Sequence, residues 1–180
     1  MNKHFYEDYY RMTGRKFKLF GRGIIDLFLR YDLRYMLCLR TKRHSFLRKL
    51  CFRHYASKYG LEILCKQIGA GFYLGHAHNI NVNPDVIIGR NCNINKGATI
   101  GKENRGKRKG APILGDCVWI GVNATVVGKV TIGNDVLIAP NSYVNFDVPD
   151  HSIVIGNPGR IIHKEDATLG YINNCINGDK

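Results

Sequence analysis

Residues 120–144 read IGVNAT-VVGKVT-IGNDVL-IAPNSY-V: four six-residue units in a row, each opened by Ile or Val. The same step runs outward on both sides. Units begin at Val82, Ile88, Ile94, Ile100, Leu114, Ile120, Val126, Ile132, Ile138 and Val144, all branched aliphatics. Gly, Asn or Ala mostly follows, and the fifth place is small or β-branched, as in Val86, Cys92, Ala98, Val118, Ala124 and Val136. A period of six is neither the 3.6 of an amphipathic helix nor the alternation of a half-buried strand. It predicts a mainly β fold, a parallel β-helix whose short strands turn a corner and aim one aliphatic side chain inward. Gly and Asn supply the positive φ of tight corners. Coils then stack at the strand spacing of about 4.8 Å, so the aliphatics form ladders.

Residues 3–58 lack this period. GIIDLFLRYDLRYMLCLR and SFLRKLCFRHYASKYG place apolar residues three and four apart between arginines, as amphipathic helices do. The expected organisation is a basic α-helical segment at 1–60, a β-helix domain at 61–162 and a tail at 163–180. The helices are expected to cap the open end of the β-helix, since terminal repeats need a cover.

The net charge of +13 is concentrated in that first segment. Residues 1–66 hold 16 Lys/Arg against 5 Asp/Glu, or +11, and residues 67–180 hold 11 against 9, or +2. A basic helical face of this kind fits an anionic membrane surface as a peripheral partner. Nucleic acid is excluded as a partner, because no recognised motif accompanies the charge. The six cysteines show no CxxC spacing, and MNKHFYEDYY has no signal-peptide character. Both point to a reduced, cytoplasmic protein, with the inner membrane face as its one membrane location.

The rhythm breaks twice. Leu74 to Val82 is eight residues instead of six, so two extra residues bulge from the stretch holding His76 and His78. Ile100 to Leu114 is fourteen, so GKENRGKRKGAP protrudes as a cationic loop suited to an anionic ligand. A zinc site needs several converging ligands, yet no histidine lies between Asn79 and Asp150, so no metal is expected. A general base needs a single imidazole beside an acceptor hydroxyl.

The hexapeptide units, the histidine bulge, the protruding loop and the closing GNPGRII resemble left-handed β-helix acyltransferases. Within them the chain resembles serine acetyltransferases and the O-acetyltransferases of capsule and exopolysaccharide synthesis, over roughly residues 60–165. The resemblance implies acetyl coenzyme A as co-substrate, a homotrimer, and active sites in the grooves between subunits. It implies His76 as general base, in the place of the histidine of an Asp-His-(Ala/Gly) stretch, with Gly75 where the aspartate would stand. His78, Asn81, Arg105 and Arg108 are the candidate acceptor-binding residues, and Glu62 and Asp85, the nearest carboxylates in sequence, are the candidates to orient His76. The implied coenzyme A contacts are Gly101, Val122, Asn123, Pro140, Asn141, Pro158, Arg160 and Lys164. Gly110-Ala111-Pro112 departs from the family's Arg-His-Pro, and the other family aspartate would fall at Leu61. These departures shift the expected acceptor from serine to a saccharide hydroxyl, by direct transfer without an acyl-enzyme. Serine O-acetylation is the alternative, and a non-catalytic β-helix scaffold the reading from a different class.

Overall fold

A computed structural model describes residues 3–41, 46–65 and 67–176; the outermost residues of the expected N-terminal segment and tail lie outside these. Four helices come first: α1 (Lys3–Thr13), α2 (Arg22–Leu29), α3 (Tyr31–Thr41) and α4 (Phe46–Tyr59). The rest is a triangular parallel β-helix with three strand faces. The first face stacks β1 (Leu61–Ile63), β4 (Ile80–Val82), β7 (Thr99–Gly101), β10 (Thr125–Val127) and β13 (Tyr143–Val144). The second stacks β2 (Gln67–Ile68), β5 (Ile87–Ile88), β8 (Ile113–Leu114) and β11 (Thr131–Ile132). The third stacks β3 (Tyr73–Gly75), β6 (Asn93–Asn95), β9 (Val118–Ile120), β12 (Val136–Ile138), β14 (Ser152–Ile155) and β15 (Arg160–His163). Neighbours pair in parallel except β14 and β15, which close the far end as an antiparallel hairpin.

The predicted ladders are the core. All ten unit-opening aliphatics from Val82 to Val144 are at most 2% exposed, and the register aligns Ile94 with Ile120 and Ile120 with Ile138. Burying each such side chain is worth about 1.5–3 kcal/mol. Corner geometry explains the polar residues between them. Asn79, Gly97, Asn123 and Asn141 all have positive φ and stack where the third face turns into the first. Gly97 must lack a side chain, since its β-carbon would lie 1.9 Å from Asn123 Oδ1.

The helices close the N-terminal end. Tyr35, fully buried in α3, donates from its hydroxyl to the Leu61 carbonyl and stacks on Phe52 of α4. α1 is pinned by two buried polar groups. Asp8 accepts from Arg40 at 2.7 and 2.9 Å and from the Phe72 amide, while Arg11 donates to the Gly71 carbonyl and to Asn93. Among the described residues, no helix is long and apolar enough to cross a membrane.

Beyond β15 the chain forms a strap that runs back over the third face. Asp135 accepts from the Ala167 and Thr168 amides and the Thr168 hydroxyl. Tyr171 packs edge-on against Trp119 at 5.0 Å, and Ile176 and Asn91 exchange two hydrogen bonds beside α1. Hexad reading had no purchase on this strap, because it lies across the coils and forms none itself.

Candidate active site

The histidine bulge lies between β3 and β4, at the corner where the third face meets the first. In the next three coils this corner takes six residues from one inward aliphatic to the next, Ile94 to Ile100, Ile120 to Val126 and Ile138 to Val144. Here it takes eight. The Lys96 amide still reaches the Gly75 carbonyl and the Gly97 amide the His78 carbonyl, so the surplus loops outward between them. Ala77 turns into the core, and His76 and His78 are exposed on either side of it.

The two histidines face different surroundings. His78 Nδ1 lies 2.9 Å from the Tyr31 hydroxyl, with its ring edge-on to Tyr31 and Tyr59, which stack on each other at 3.9 Å. The helical cap thus holds it, and it does not line the cavity at His76. His76, at φ 50°, stands at the rim of a polar cavity of about 320 Å³. Strands of the third face supply Tyr73, Gly75, Asn93, Asn95 and Trp119; α1 supplies Arg11 and Met12; the strap supplies Tyr171, Asn173 and Asn174. Among the described residues, the lining carries one guanidinium and no carboxylate. Arg11 is 3% exposed and its guanidinium lies 5.9 Å from the centre of the Tyr73 ring.

Other expected site residues lie elsewhere in a single chain. Glu62 is outward on the first face, where its carboxylate accepts from Asn81 at 2.9 Å, and Asp85 pairs with Lys102 at 2.7 Å. Neither carboxylate lines the cavity at His76. The loop after β7 folds into a small hairpin, bridged between Glu103 and Gly110 and braced by Arg108 on Glu103 at 3.3 Å. It springs from the corner between the first and second faces, so Arg105 and Arg108 do not join His76 within one chain. Ala111 packs partly buried against the core at the loop's end.

The expected coenzyme A residues divide. Val122, Asn123, Pro140 and Asn141 form one column on the corner that His76 opens, linked by Asn123 N to Lys96 O and Asn141 N to Val122 O. Pro158 continues that column one coil further with Arg160 exposed beside it, whereas β15 carries the chain back across the third face and leaves Lys164 beside His151 at the opposite corner. From the bulge to Pro158 is four coil steps, or about 19 Å at the strand spacing. The column is a ridge of corner backbone on which Asn123, Pro140, Asn141 and Pro158 are exposed. Gly101 lies off the column, opposite Val127 on the first face. Among the described residues, no three His, Cys, Asp or Glu side chains are grouped to hold a metal ion.

Sequence reasoning missed Arg11, Tyr73, Asn93, Asn95, Trp119 and Tyr171. Asn93 and Asn95 flank Ile94 in alternation, a signal of two outward polar groups on one strand. No signal marks Arg11 or Tyr171, which reach the cavity from opposite ends of the chain.

A parallel β-helix with a histidine bulge beside a polar cavity and a long corner ridge defines the hexapeptide-repeat class of acyltransferases. The bacterial transferase hexapeptide model (six repeats) matches residues 111–145. Serine acetyltransferase of Bacillus pumilus is 32% identical over 150 residues, covering 79% of this chain and 69% of that protein. Serine acetyltransferase 2 of Arabidopsis thaliana is 29% identical over 68% of this chain but only 42% of its own length. The soybean serine acetyltransferase apoenzyme superposes with a TM-score of 0.62 at 25% identity, over 81% of this chain and 63% of that one. The chain belongs to the serine acetyltransferase family. It spans from under half to about two thirds of the length of these relatives.

Proposed function

We propose that this chain transfers an acetyl group from acetyl coenzyme A to a hydroxyl, with His76 as the general base. The observation that carries this reading is the position of His76. It stands between an open polar cavity on the third face and the exposed ridge of Val122, Asn123, Pro140 and Asn141. Acetyl coenzyme A would supply an activated thioester carbonyl along the ridge. The imidazole would take the hydroxyl proton as the oxygen attacks, a step worth roughly 10²–10⁴-fold in rate. Fixed placement of both reactants supplies several kcal/mol more, about 7 in favourable cases.

L-Serine is the acceptor in the names of the relatives, and the saccharide expected from the sequence is not what those names support. A specific feature keeps the saccharide as a second reading. Among the described residues, the cavity at His76 offers Arg11, asparagine amides and aromatic edges but no carboxylate to receive an α-ammonium group. Neutral hydroxyls suit such a lining better than a zwitterion does. Three copies side by side, the assembly implied by the family, would bring the cationic loop of one copy towards the His76 corner of the next. In that arrangement Arg105 and Arg108 would face the acceptor from a neighbour. Six free cysteines fit a reducing compartment.

The test is thiol release from acetyl coenzyme A with L-serine and, separately, a panel of free and nucleotide-linked sugars. Turnover with serine alone establishes the first reading, and turnover with a sugar alone the second. No turnover, together with no binding of coenzyme A, would overturn both in favour of a scaffold.

A further inference from the structure

We infer that α2 and the loop before it form a docking surface for an anionic lipid bilayer. The helix is turned inside out relative to a helix of a water-exposed surface. Its inward residues are Gly23, Asp26 and the partly buried Leu27, and its outward ones are Ile24, Ile25, Phe28 and Leu29. Phe28 and Leu29 are 77% and 75% exposed, and from the loop Phe20 is 92% and Leu19 53% exposed. Large apolar side chains gathered in this way on one ridge mark an interaction site.

The inversion is built in. Asp26 is fixed by the Tyr9 hydroxyl at 2.7 Å and Arg15 at 3.0 Å, which forces the opposite, apolar face of the helix into solvent. A β-carbon on Gly23 would lie 2.8 Å from the Lys18 carbonyl, so the loop sits directly on the helix and presents Leu19 and Phe20 beside it. Phe17 turns the other way and packs on Phe5 and Tyr9.

Charge selects the occupant. Arg15, Lys16, Lys18 and Arg22 surround the ridge against the single, buried Asp26, a net of +3 (four cations less one anion). An apolar ridge rimmed by cations complements a surface with an apolar interior and anionic headgroups. Eight helical residues span about 12 Å, so the element lies in the interface and does not cross it.

Sedimentation with large unilamellar vesicles tests this, using phosphatidylcholine alone and phosphatidylcholine mixed with phosphatidylglycerol, at low salt. The full chain should partition onto the mixed vesicles and scarcely onto the neutral ones. Phe20→Glu with Phe28→Glu should lower the partition coefficient more than about tenfold. Lys16→Gln with Lys18→Gln should lower it by a similar factor while leaving the apolar ridge intact. Both variants change exposed residues only, so circular dichroism and melting temperature should match the parent. Failure to partition, or equal partition by parent and Phe20/Phe28 variant, would overturn the proposal. So would a parent indifferent to vesicles whose oligomer mass in light scattering falls in that variant, which would make the ridge a contact between copies.

Discussion

Asn95 occupies the space that a side chain on Gly75 would need: a β-carbon there would lie 1.9 Å from Asn95 Oδ1. The two residues are register partners on β3 and β6, and the Asn95 amide is held by its donation to the Ile120 carbonyl at 2.7 Å. The residue before the candidate base is therefore a glycine for a steric reason, and Asn95 lines the cavity beside it.

This pair gives a coupling prediction. Gly75→Ala should destabilise the fold by about 1–3 kcal/mol, because Asn95 must swing away and lose its buried acceptor. In an Asn95→Ala background the same change should cost about 0.5 kcal/mol or less. Urea unfolding of the four proteins checks it; equal costs in both backgrounds would show that the two residues do not compete for space.

The Asp8–Arg40 pair ties α1 to α3 and to the first coil, and both side chains are at most 6% exposed. Asp8→Ala leaves the Arg40 guanidinium buried without its carboxylate and should cost about 3–5 kcal/mol. Replacing both partners by apolar residues should cost less than the single change. The same unfolding measurement decides between them.

The strap has a pH-sensitive anchor. His151 donates towards Asp135, the carboxylate that receives the strap amides, and this hydrogen bond, with nearby Glu165, raises the imidazole pKa above its ordinary value. A raised folded-state pKa means that the stabilisation is complete below the unfolded value of about 6.5 and is lost as pH rises through the folded one. Melting temperature should therefore fall between slightly acidic and mildly alkaline pH, and His151→Gln should flatten that slope. A parallel fall in the variant would assign the slope to other groups.

Tyr171 roofs the cavity from the strap while remaining 53% exposed, so its loss should spare the fold. Tyr171→Ala should raise KM for the acceptor about 3- to 10-fold, from the lost aromatic contact, with KM for acetyl coenzyme A unchanged. Steady-state kinetics in both substrates would show whether the effect instead falls on the donor.

The β-helix was legible because each coil repeats the same steric demand, so Ile88, Ile94 and their equivalents recur without reference to distant chain. The bulge was legible for the same reason, as a count of eight where neighbours count six. What escaped depends on packing across the coils. Arg11 and Tyr171 are 160 positions apart by number and meet only because α1 and the strap both lie on the third face. The sequence set His78 apart from His76 as an acceptor-binding neighbour, but gave no sign that Tyr31, far upstream, holds its ring. The inverted face of α2 was readable as amphipathic but not as outward, since the decision rests on Asp26 finding Tyr9 and Arg15.

The most direct test of the account compares thiol release from acetyl coenzyme A by the parent, His76→Ala and His78→Ala, with coenzyme A binding measured alongside by calorimetry. Base catalysis by His76 predicts a loss of about 10²-fold or more in His76→Ala with binding intact, and a loss below about tenfold in His78→Ala. Retained turnover in His76→Ala, or its disappearance in His78→Ala alone, would contradict the assignment of the base.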